Sequence, residues 1–408
     1  MGTRLSKDTI PKLASGSLNN ITISLTRSCN QHCEHCWISA GGYDSSELDD
    51  GEIRGVLASA KALGAQHVKF TGGEPFIRPG LGDIILFAAH LGFRVSVETN
   101  GTLITPPLLN SLHSASKHLH FYISLDGDNP TTHDKFRGSR GAFETTLNTL
   151  RLLRDKGFYF SINTVVTLAN VTEVKNVFAI AKGLGATQHK LILTVHNLGR
   201  GSRIQGKRVT SRRLFDLLAE LPKQRLWDYQ WDPARSRRTT LMTTLPPAFQ
   251  PDDRYAATCG WSQSFLAVLS NGDVAICHGL YGADEAIAGN IREQPLADIW
   301  QRGSLFTESR KWTRSEFKGI CSNCAVAETC RGLCRANAFS EYGDLRAPYP
   351  LCQTLYEEGV FPTEMLVDPD IDTSYHPDTL RSKRASIPTF HETDAGDNFD
   401  RSSRSSNQ

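Results

Sequence analysis

The 408-residue chain has almost no surplus of charge of either sign: 45 Lys and Arg stand against 43 Asp and Glu. That balance argues against the broad basic surface on which nucleic-acid binding depends. No apolar run approaches the roughly 20 residues of a membrane helix. The opening stretch MGTRLSKDTIPKL has no apolar core long enough for a secretory signal. A cytoplasmic, reducing location is therefore expected, with neither membrane nor nucleic acid as a partner. Internal repeats are also missing. The chain does have ten cysteines, and in a reducing compartment these are expected as thiolate ligands rather than disulfides.

Three of them, Cys29, Cys33 and Cys36, are spaced Cys-x3-Cys-x2-Cys. The preceding run ITISL alternates and is β-branched, so the cysteines fall on a loop at the C-terminal end of a strand. Barrel-type α/β proteins carry their chemistry at that end. Three thiolates can hold iron and leave one coordination position open for a ligand. Zinc is the alternative, but it wants a closed set of four, for which His32 or His35 would have to serve. A second strand at about 67–71 runs into Gly72-Gly73-Glu74-Pro75. Glycines there let backbone approach a ligand closely, and turn carbonyls and a carboxylate accept from an ammonium.

Together these residues resemble the signature of the radical S-adenosylmethionine (SAM) enzymes. The resemblance implies that Cys29, Cys33 and Cys36 ligate a 4Fe-4S cluster whose fourth iron is chelated by the amine and carboxylate of SAM. Reduction then splits SAM into methionine and a 5′-deoxyadenosyl radical. Gly72, Gly73, Glu74 and Pro75 would hold the amino group of SAM. Ser124, Arg137 and Asn163 match positions that contact its ribose and carboxylate in relatives. Zinc chemistry has no need of the Gly-Gly-Glu-Pro turn.

Between about 21 and 200, apolar strand runs at about 21–26, 67–71, 94–98, 119–125, 159–167 and 189–195 alternate with amphipathic stretches at 52–63, 81–91, 142–156 and 171–183. Such alternation implies parallel strands with right-handed crossovers. Six units are too few for a closed eight-stranded barrel. The expected fold is α/β, a partial (β/α)6 TIM-type barrel, with a doubly wound open sheet as the competing architecture.

The other seven cysteines form a second constellation: Cys259, then Gly272 and Cys277, then Cys321, Cys324, Cys330 and Cys334, and last Cys352. Their spacing resembles that of the SPASM extension of radical SAM enzymes, a small cysteine-rich domain that binds auxiliary iron–sulfur clusters. The resemblance implies two of them. Cys321, Cys324, Cys330 and Cys352 would hold one. Cys259, Cys277 and Cys334 would hold the other, which lacks the fourth cysteine some relatives carry. An open iron or a non-cysteine ligand such as His278 would complete it.

The division expected is an N-terminal extension at 1–20, the radical SAM barrel at 21–200, a bridge rich in Arg, Pro and Trp at 201–258, a SPASM domain at 259–352 and a C-terminal extension at 353–408. The last is polar and reads as disordered after about 365. In the basic cluster GRGSRIQGKR the choice lies between a solvated loop and a binder of acidic substrate or leader peptide. Only about 20 residues precede the first strand, so a leader peptide would bind elsewhere or through a separate protein.

What the resemblance implies for function is a maturase that abstracts hydrogen from a peptide or protein, leaving a crosslink or an oxidised residue. An external electron donor of the flavodoxin or ferredoxin type would feed it. Sulfatase maturation to formylglycine is the second reading. Those enzymes carry the extra cysteine and an Asp directly after the residue matching Cys277, and this chain has neither. A small-molecule dehydrogenase or epimerase is the third. A non-enzymatic iron–sulfur carrier would not need Gly72–Pro75. No catalytic base is identifiable from the sequence.

Overall fold

The computed structural model describes residues 16–42, 44–221, 239–249 and 259–375. Six strands form where the alternating runs predict them: β1 (Asn20–Ser24), β2 (His67–Thr71), β3 (Arg94–Thr99), β4 (Leu119–Ser124), β5 (Tyr159–Val165) and β6 (Gln188–Ile192). They lie parallel and in sequence order. Helices Asp50–Ala62, Leu81–His90, Ala142–Asp155 and Val174–Leu184 fill the crossovers. The first starts at a reciprocal cap. The Asp49 carboxylate accepts from Glu52 N, and the Glu52 carboxylate accepts from Asp49 N, both at 2.8 Å.

The sheet continues past both ends of this set. β7 (Thr240–Thr243) lies parallel to β6, and β8 (Phe265–Val268) lies parallel to β1. β9 (Asp273–Ala275) and β10 (Ile287–Asn290) add antiparallel to β8, giving the order β10-β9-β8-β1-β2-β3-β4-β5-β6-β7. The first stretch of the cysteine-rich region is thus built onto the barrel sheet. Neither β7 nor β8 stands out in the sequence, because four residues are too few to show a period.

The two faces of the sheet differ in chemistry. Ile21, Ile23, Val68, Phe70, Val95, Val97, Phe121, Ile123, Phe160 and Ile162 join the core with Ile53, Leu57, Ile84, Ile85, Leu147 and Leu150 from the helices. By strand alternation, Thr22, Lys69, Glu98, Tyr122, Asn163 and Lys190 take the opposite face. A doubly wound sheet would be apolar on both sides. One polar concave face is what a partial barrel requires. Toward the N-terminal ends of the strands, hydrogen bonds between His67 Nε2 and Ser96 Oγ (2.7 Å) and between His120 Nε2 and Ser161 Oγ (2.8 Å) fill the interior. Among the described residues no helix is long and apolar enough to cross a membrane.

The C-terminal segment corrects the sequence reading. Order does not stop at about 365. Met365 is 7 % exposed, Ala325 N donates to Met365 O at 2.8 Å, and Val367 N donates to Asn323 O at 2.8 Å. Further on, Gln353 Nε2 donates to Thr373 O at 3.1 Å, and Tyr375 packs edge-on against Tyr342. A few well-buried contacts hold a segment whose composition is polar. The rest of the expected disordered tail, from 376, lies outside the described residues, as do 222–238 and 250–258 of the bridge.

Met365→Ala should therefore cost about 2–5 kcal/mol, read as a lower urea midpoint. A chain stopped after Tyr375 keeps all these contacts and should hold its midpoint. An unchanged midpoint for Met365→Ala would show that this segment does not pack in solution.

Candidate functional site

After β1 the chain enters the loop that carries Cys29, Cys33 and Cys36. This loop has no strand ladder of its own, so its backbone polar groups need partners elsewhere. The turn after β2 supplies two: Gly73 N donates to Thr26 O at 2.7 Å and Glu74 N to Ser28 O at 2.8 Å. The approach is so close that a Cβ on Gly72 or Gly73 would collide with the carbonyl oxygens of Thr26 and Ser28. Gly72 also has φ 145°, a conformation that favours glycine. From the other side, His32 N donates to Arg137 O and Glu34 N to Phe136 O, both at 3.0 Å.

Glu74 is fully buried, and its carboxylate is already engaged. It accepts from Thr99 Oγ1 at 2.7 Å, Asn100 N at 2.8 Å and Phe76 N at 3.1 Å. The side chain therefore fixes the turn to the end of β3, while the turn's backbone carbonyls face the role expected for it. Burial pushes its carboxyl up, against the pull of these donors.

Arg137 is equally committed. Its guanidinium forms a buried ion pair with Asp126 and donates to Cys33 Sγ at 3.6 Å. Burial opposes its charge, but Asp126 and the Cys33 sulfur together push its pKa up. Asp126 also accepts from Val165 N at 2.7 Å. The sequence presents Asp126-Gly127 as a turn pair and gives no sign of this partnership. Ser124 and Asn163 are register partners at the C-terminal ends of β4 and β5. Asn163 Oδ1 is buried without a hydrogen-bond partner, as expected of a side chain waiting for a ligand.

The basic cluster after residue 198 is largely engaged within the protein. Arg200, 7 % exposed, donates from N to Cys36 O (2.8 Å), from Nε to Cys33 O (2.9 Å) and from Nη1 to Ala40 O (2.9 Å). Lys207 pairs with Glu34 and Arg208 with Glu341, each at 2.6 Å. Gly199 packs so tightly against the carbonyls of Cys36 and Trp37 that no Cβ would fit. Charge density in the sequence hid a clamp on the cysteine loop.

The remaining seven cysteines fall into two groups. Cys321, Cys324, Cys330 and Cys352 line one cavity, together with Ile320, Ala327, Tyr349 and Phe361. Cys259, Cys277 and Cys334 lie within electrostatic reach of one another beside Lys69 and Lys190. All ten cysteines are free thiols. Burial pushes Cys29 and Cys330 up to about 12 and Cys324 and Cys334 up to about 11. Such thiols ionise when a metal supplies positive charge. Among the described residues no three Cys, His, Asp or Glu side chains converge closely enough for one ion. Cysteines spread around a cavity suit a multi-iron cluster better than a tetrahedral zinc.

Between the first three cysteines and this second group lies the polar face of the barrel. Lys69 Nζ pairs with Glu98 Oε2 at 3.1 Å, and His278 Nε2 lies 4.0 Å from the same oxygen. Lys69 and Glu98 keep 22 % and 26 % of their side-chain surface exposed although they face inward, so the barrel interior is a cavity. Burial alone would raise the Glu98 carboxyl, but Lys69, His278 and Lys190 bring it down to about 2. His278 Nδ1 is 4.0 Å from Cys277 Sγ, and burial lowers its pKa to about 3, so it is neutral. The sequence signal for the lysines was a charge inside each strand run, HVKFT and QHKLI.

Comparison with known proteins accords with this geometry. The Radical SAM superfamily model matches residues 23–178, and the SPASM iron-sulfur cluster-binding domain model matches 259–325. The AdoMet-dependent heme synthase of Methanosarcina barkeri is 31 % identical over 83 % of this chain and 97 % of its own length. The mycofactocin maturase MftC of Mycolicibacterium smegmatis is 30 % identical over 81 % of this chain and 82 % of its own. The crystal structure of Streptococcus suis SuiB bound to S-adenosylmethionine has the same fold, with a TM-score of 0.64 at 17 % identity over 83 % of this chain and 78 % of that one. The chain belongs to the radical SAM superfamily, among the enzymes whose SAM-cleaving barrel is followed by a SPASM iron–sulfur domain.

Proposed function

We propose that this enzyme takes a hydrogen from a peptide or protein substrate seated in the polar interior of its barrel, between the loop of Cys29, Cys33 and Cys36 and the group of Cys259, Cys277 and Cys334. Cys29, Cys33 and Cys36 would hold a 4Fe-4S cluster that would supply the electron for reductive cleavage of SAM and hence the radical chemistry of hydrogen abstraction. The fit of the residues supports that cofactor. Cys33 and Cys36 sulfurs accept N–H donors, from Arg137 at 3.6 Å and Ala40 N at 3.3 Å, as cluster-bound sulfur does. The turn Gly72–Pro75 offers carbonyls to the SAM amino group, and Ser124 and the unpartnered Asn163 offer polar contacts to its ribose and carboxylate. Arg137 serves by holding Cys33 and Asp126.

The observation that carries the reading is the polar face of Lys69, Glu98, Asn163 and Lys190, part-exposed at Lys69 and Glu98, where a structural sheet would place apolar side chains. Peptide chemistry is favoured by the resemblance to a mycofactocin maturase across most of both chains. The 31 % identity to an AdoMet-dependent heme synthase supports a second reading, in which a tetrapyrrole occupies the cavity. That class of substrate is not legible in the sequence.

The separation of the seven cysteines supports two auxiliary clusters. The quartet around Cys352 would be closed and would relay electrons. The trio has three thiolates, with His278 set between Cys277 Sγ and Glu98 at 4.0 Å from each; an open iron that meets substrate, or His278 as fourth ligand, would complete it. Electrons would come from a flavodoxin- or ferredoxin-type donor.

Anaerobic reconstitution should give about twelve irons per chain for three four-iron clusters. Replacing Cys29, Cys33 and Cys36 by Ala should remove about a third of them and abolish SAM cleavage. Retained cleavage would refute the assignment of the SAM site.

Arg137→Ala leaves Asp126 uncompensated, a loss of about 3–5 kcal/mol, and iron at the first site should fall with it. Glu74→Gln sets an amide against three donors, should cost about 1–3 kcal/mol and should weaken SAM binding measured by calorimetry. Wild-type SAM affinity in Glu74→Gln would detach the carboxylate from SAM binding.

For the substrate, the reduced enzyme is incubated with SAM and either a short peptide encoded beside its gene or an iron tetrapyrrole carrying propionates. Formation of 5′-deoxyadenosine that rises only with the peptide supports peptide maturation. A rise only with the tetrapyrrole overturns it in favour of the second reading.

A further inference from the structure

Arg335 follows Cys334 in the chain and opens the helix Arg335–Tyr342. It is 1 % exposed, one of the largest fully buried side chains. Its guanidinium donates to Leu345 O at 3.1 Å, to Ala347 O at 2.6 Å and to Gly332 O. It also lies over the Phe317 ring, 5.4 Å from the centroid, and reaches the sulfur of Cys321. Nε has no partner. Among the described residues no carboxylate pairs with it.

A buried cation without an anion is costly, and carbonyl dipoles only partly offset that cost. The anions within reach are thiolates, and they belong to both cysteine groups. Arg335 directly follows Cys334 of the trio, and its guanidinium grips Gly332 O midway between Cys330 and Cys334 and reaches the Cys321 sulfur of the quartet. Lys69 and Lys190 reach the trio, and Arg314 reaches Cys324. Arg335 is thus a charge that the two groups share.

The backbone between the groups agrees. Cys330 belongs to the quartet and Cys334 to the trio, and the three residues joining them are all left-handed: Arg331 at φ 51°, Gly332 at 69° and Leu333 at 52°. Arginine and leucine adopt that conformation at a cost of roughly 1–2 kcal/mol each. The Arg335 guanidinium grips the middle of this turn at Gly332 O, and a Cβ on Gly332 would run into it. The turn that sends neighbouring cysteines to different sites is folded around the guanidinium.

We propose that Arg335 is the shared counter-charge of the two auxiliary clusters: one buried guanidinium, bound to the ligand loop of one and touching a ligand of the other, that raises the reduction potentials of both. The proposal rests on the two-cluster assignment above. Thiolate-bound clusters carry net negative charge that grows on reduction, so a fixed cation favours the reduced form of each. A backbone staple alone would need donors but no charge.

The experiment is a redox titration of the reconstituted full-length enzyme followed by electron paramagnetic resonance. The Cys29/Cys33/Cys36→Ala variant serves as the background that isolates the auxiliary signals. Two separate auxiliary signals in that background establish the assignment independently of Arg335, and a single one overturns assignment and proposal together. Arg335→Gln keeps donors and loses the charge; both auxiliary potentials should fall, and Arg335→Lys should bring both back toward wild type. Movement of one potential only, or of neither, with iron content intact overturns the proposal. Where Arg335→Gln fails to load auxiliary iron, the lysine variant decides. Recovery of iron at both sites by a cation of different shape supports the shared charge, and failure at either refutes it.

Discussion

The loop of Cys29, Cys33 and Cys36 has to be rigid without secondary structure of its own, and its neighbours meet that constraint through backbone contact. The turn after β2 donates two N–H groups to Thr26 O and Ser28 O, the end of helix Pro130–Arg137 accepts two from His32 and Glu34, and Arg200 takes the carbonyls of Cys33, Cys36 and Ala40. Each contact joins the loop to a segment that follows a different strand. The close approach is possible because glycine stands at 72, 73, 138 and 199, where a Cβ would meet loop backbone. A loop held this way stays put whether or not a ligand is present, which is what preorganisation of a radical-generating site requires.

The same constraint accounts for the two buried arginines on this loop. Arg137 and Arg200 both touch the segment that carries Cys33, yet only Arg137 has a carboxylate partner, Asp126. Arg200 binds carbonyl oxygens, which fixes shape. Arg137 binds a sulfur and a carboxylate, which fixes charge. In the SPASM region Arg335 does both at once, with three carbonyls and a sulfur. Buried guanidinium is thus the recurrent device of this chain wherever cysteines must be held close in a dry environment, because its planar fork can satisfy several acceptors together.

Much of the site was legible because its chemistry needs fixed spacing. The ten cysteines and the Gly72–Pro75 turn stand out because thiolate ligands and close backbone approach each call for one residue type. The six strands were legible from alternation, to within about two residues at most ends. What the sequence concealed depends on pairing across distance. Asp126 reads as a turn residue until Arg137 is brought beside it. GRGSRIQGKR reads as solvated charge until its carbonyl and carboxylate partners appear on the cysteine loop and at Glu341. β7 and β8 are too short to show a period, and residues 366–375 look disordered by composition because a handful of specific contacts, at Met365, Val367 and Thr373, hold them.

Burial sets the last relation between the parts. Most of these thiols sit where water cannot stabilise a thiolate, and their pKa values are displaced upward accordingly. The protein offers few compensating cations: Arg137 at the first site, Lys69 and Lys190 at the trio, and Arg335 between trio and quartet. Each cation also has a second duty, since Lys69 pairs with Glu98 across the cavity and Arg335 pins the turn at Gly332. At the trio the charge beside the cysteines is therefore also charge on the polar barrel face, and Arg335 shapes the path between cysteines. A substitution of Lys69 or Lys190 would thus alter the surroundings of the trio and the polar barrel face together.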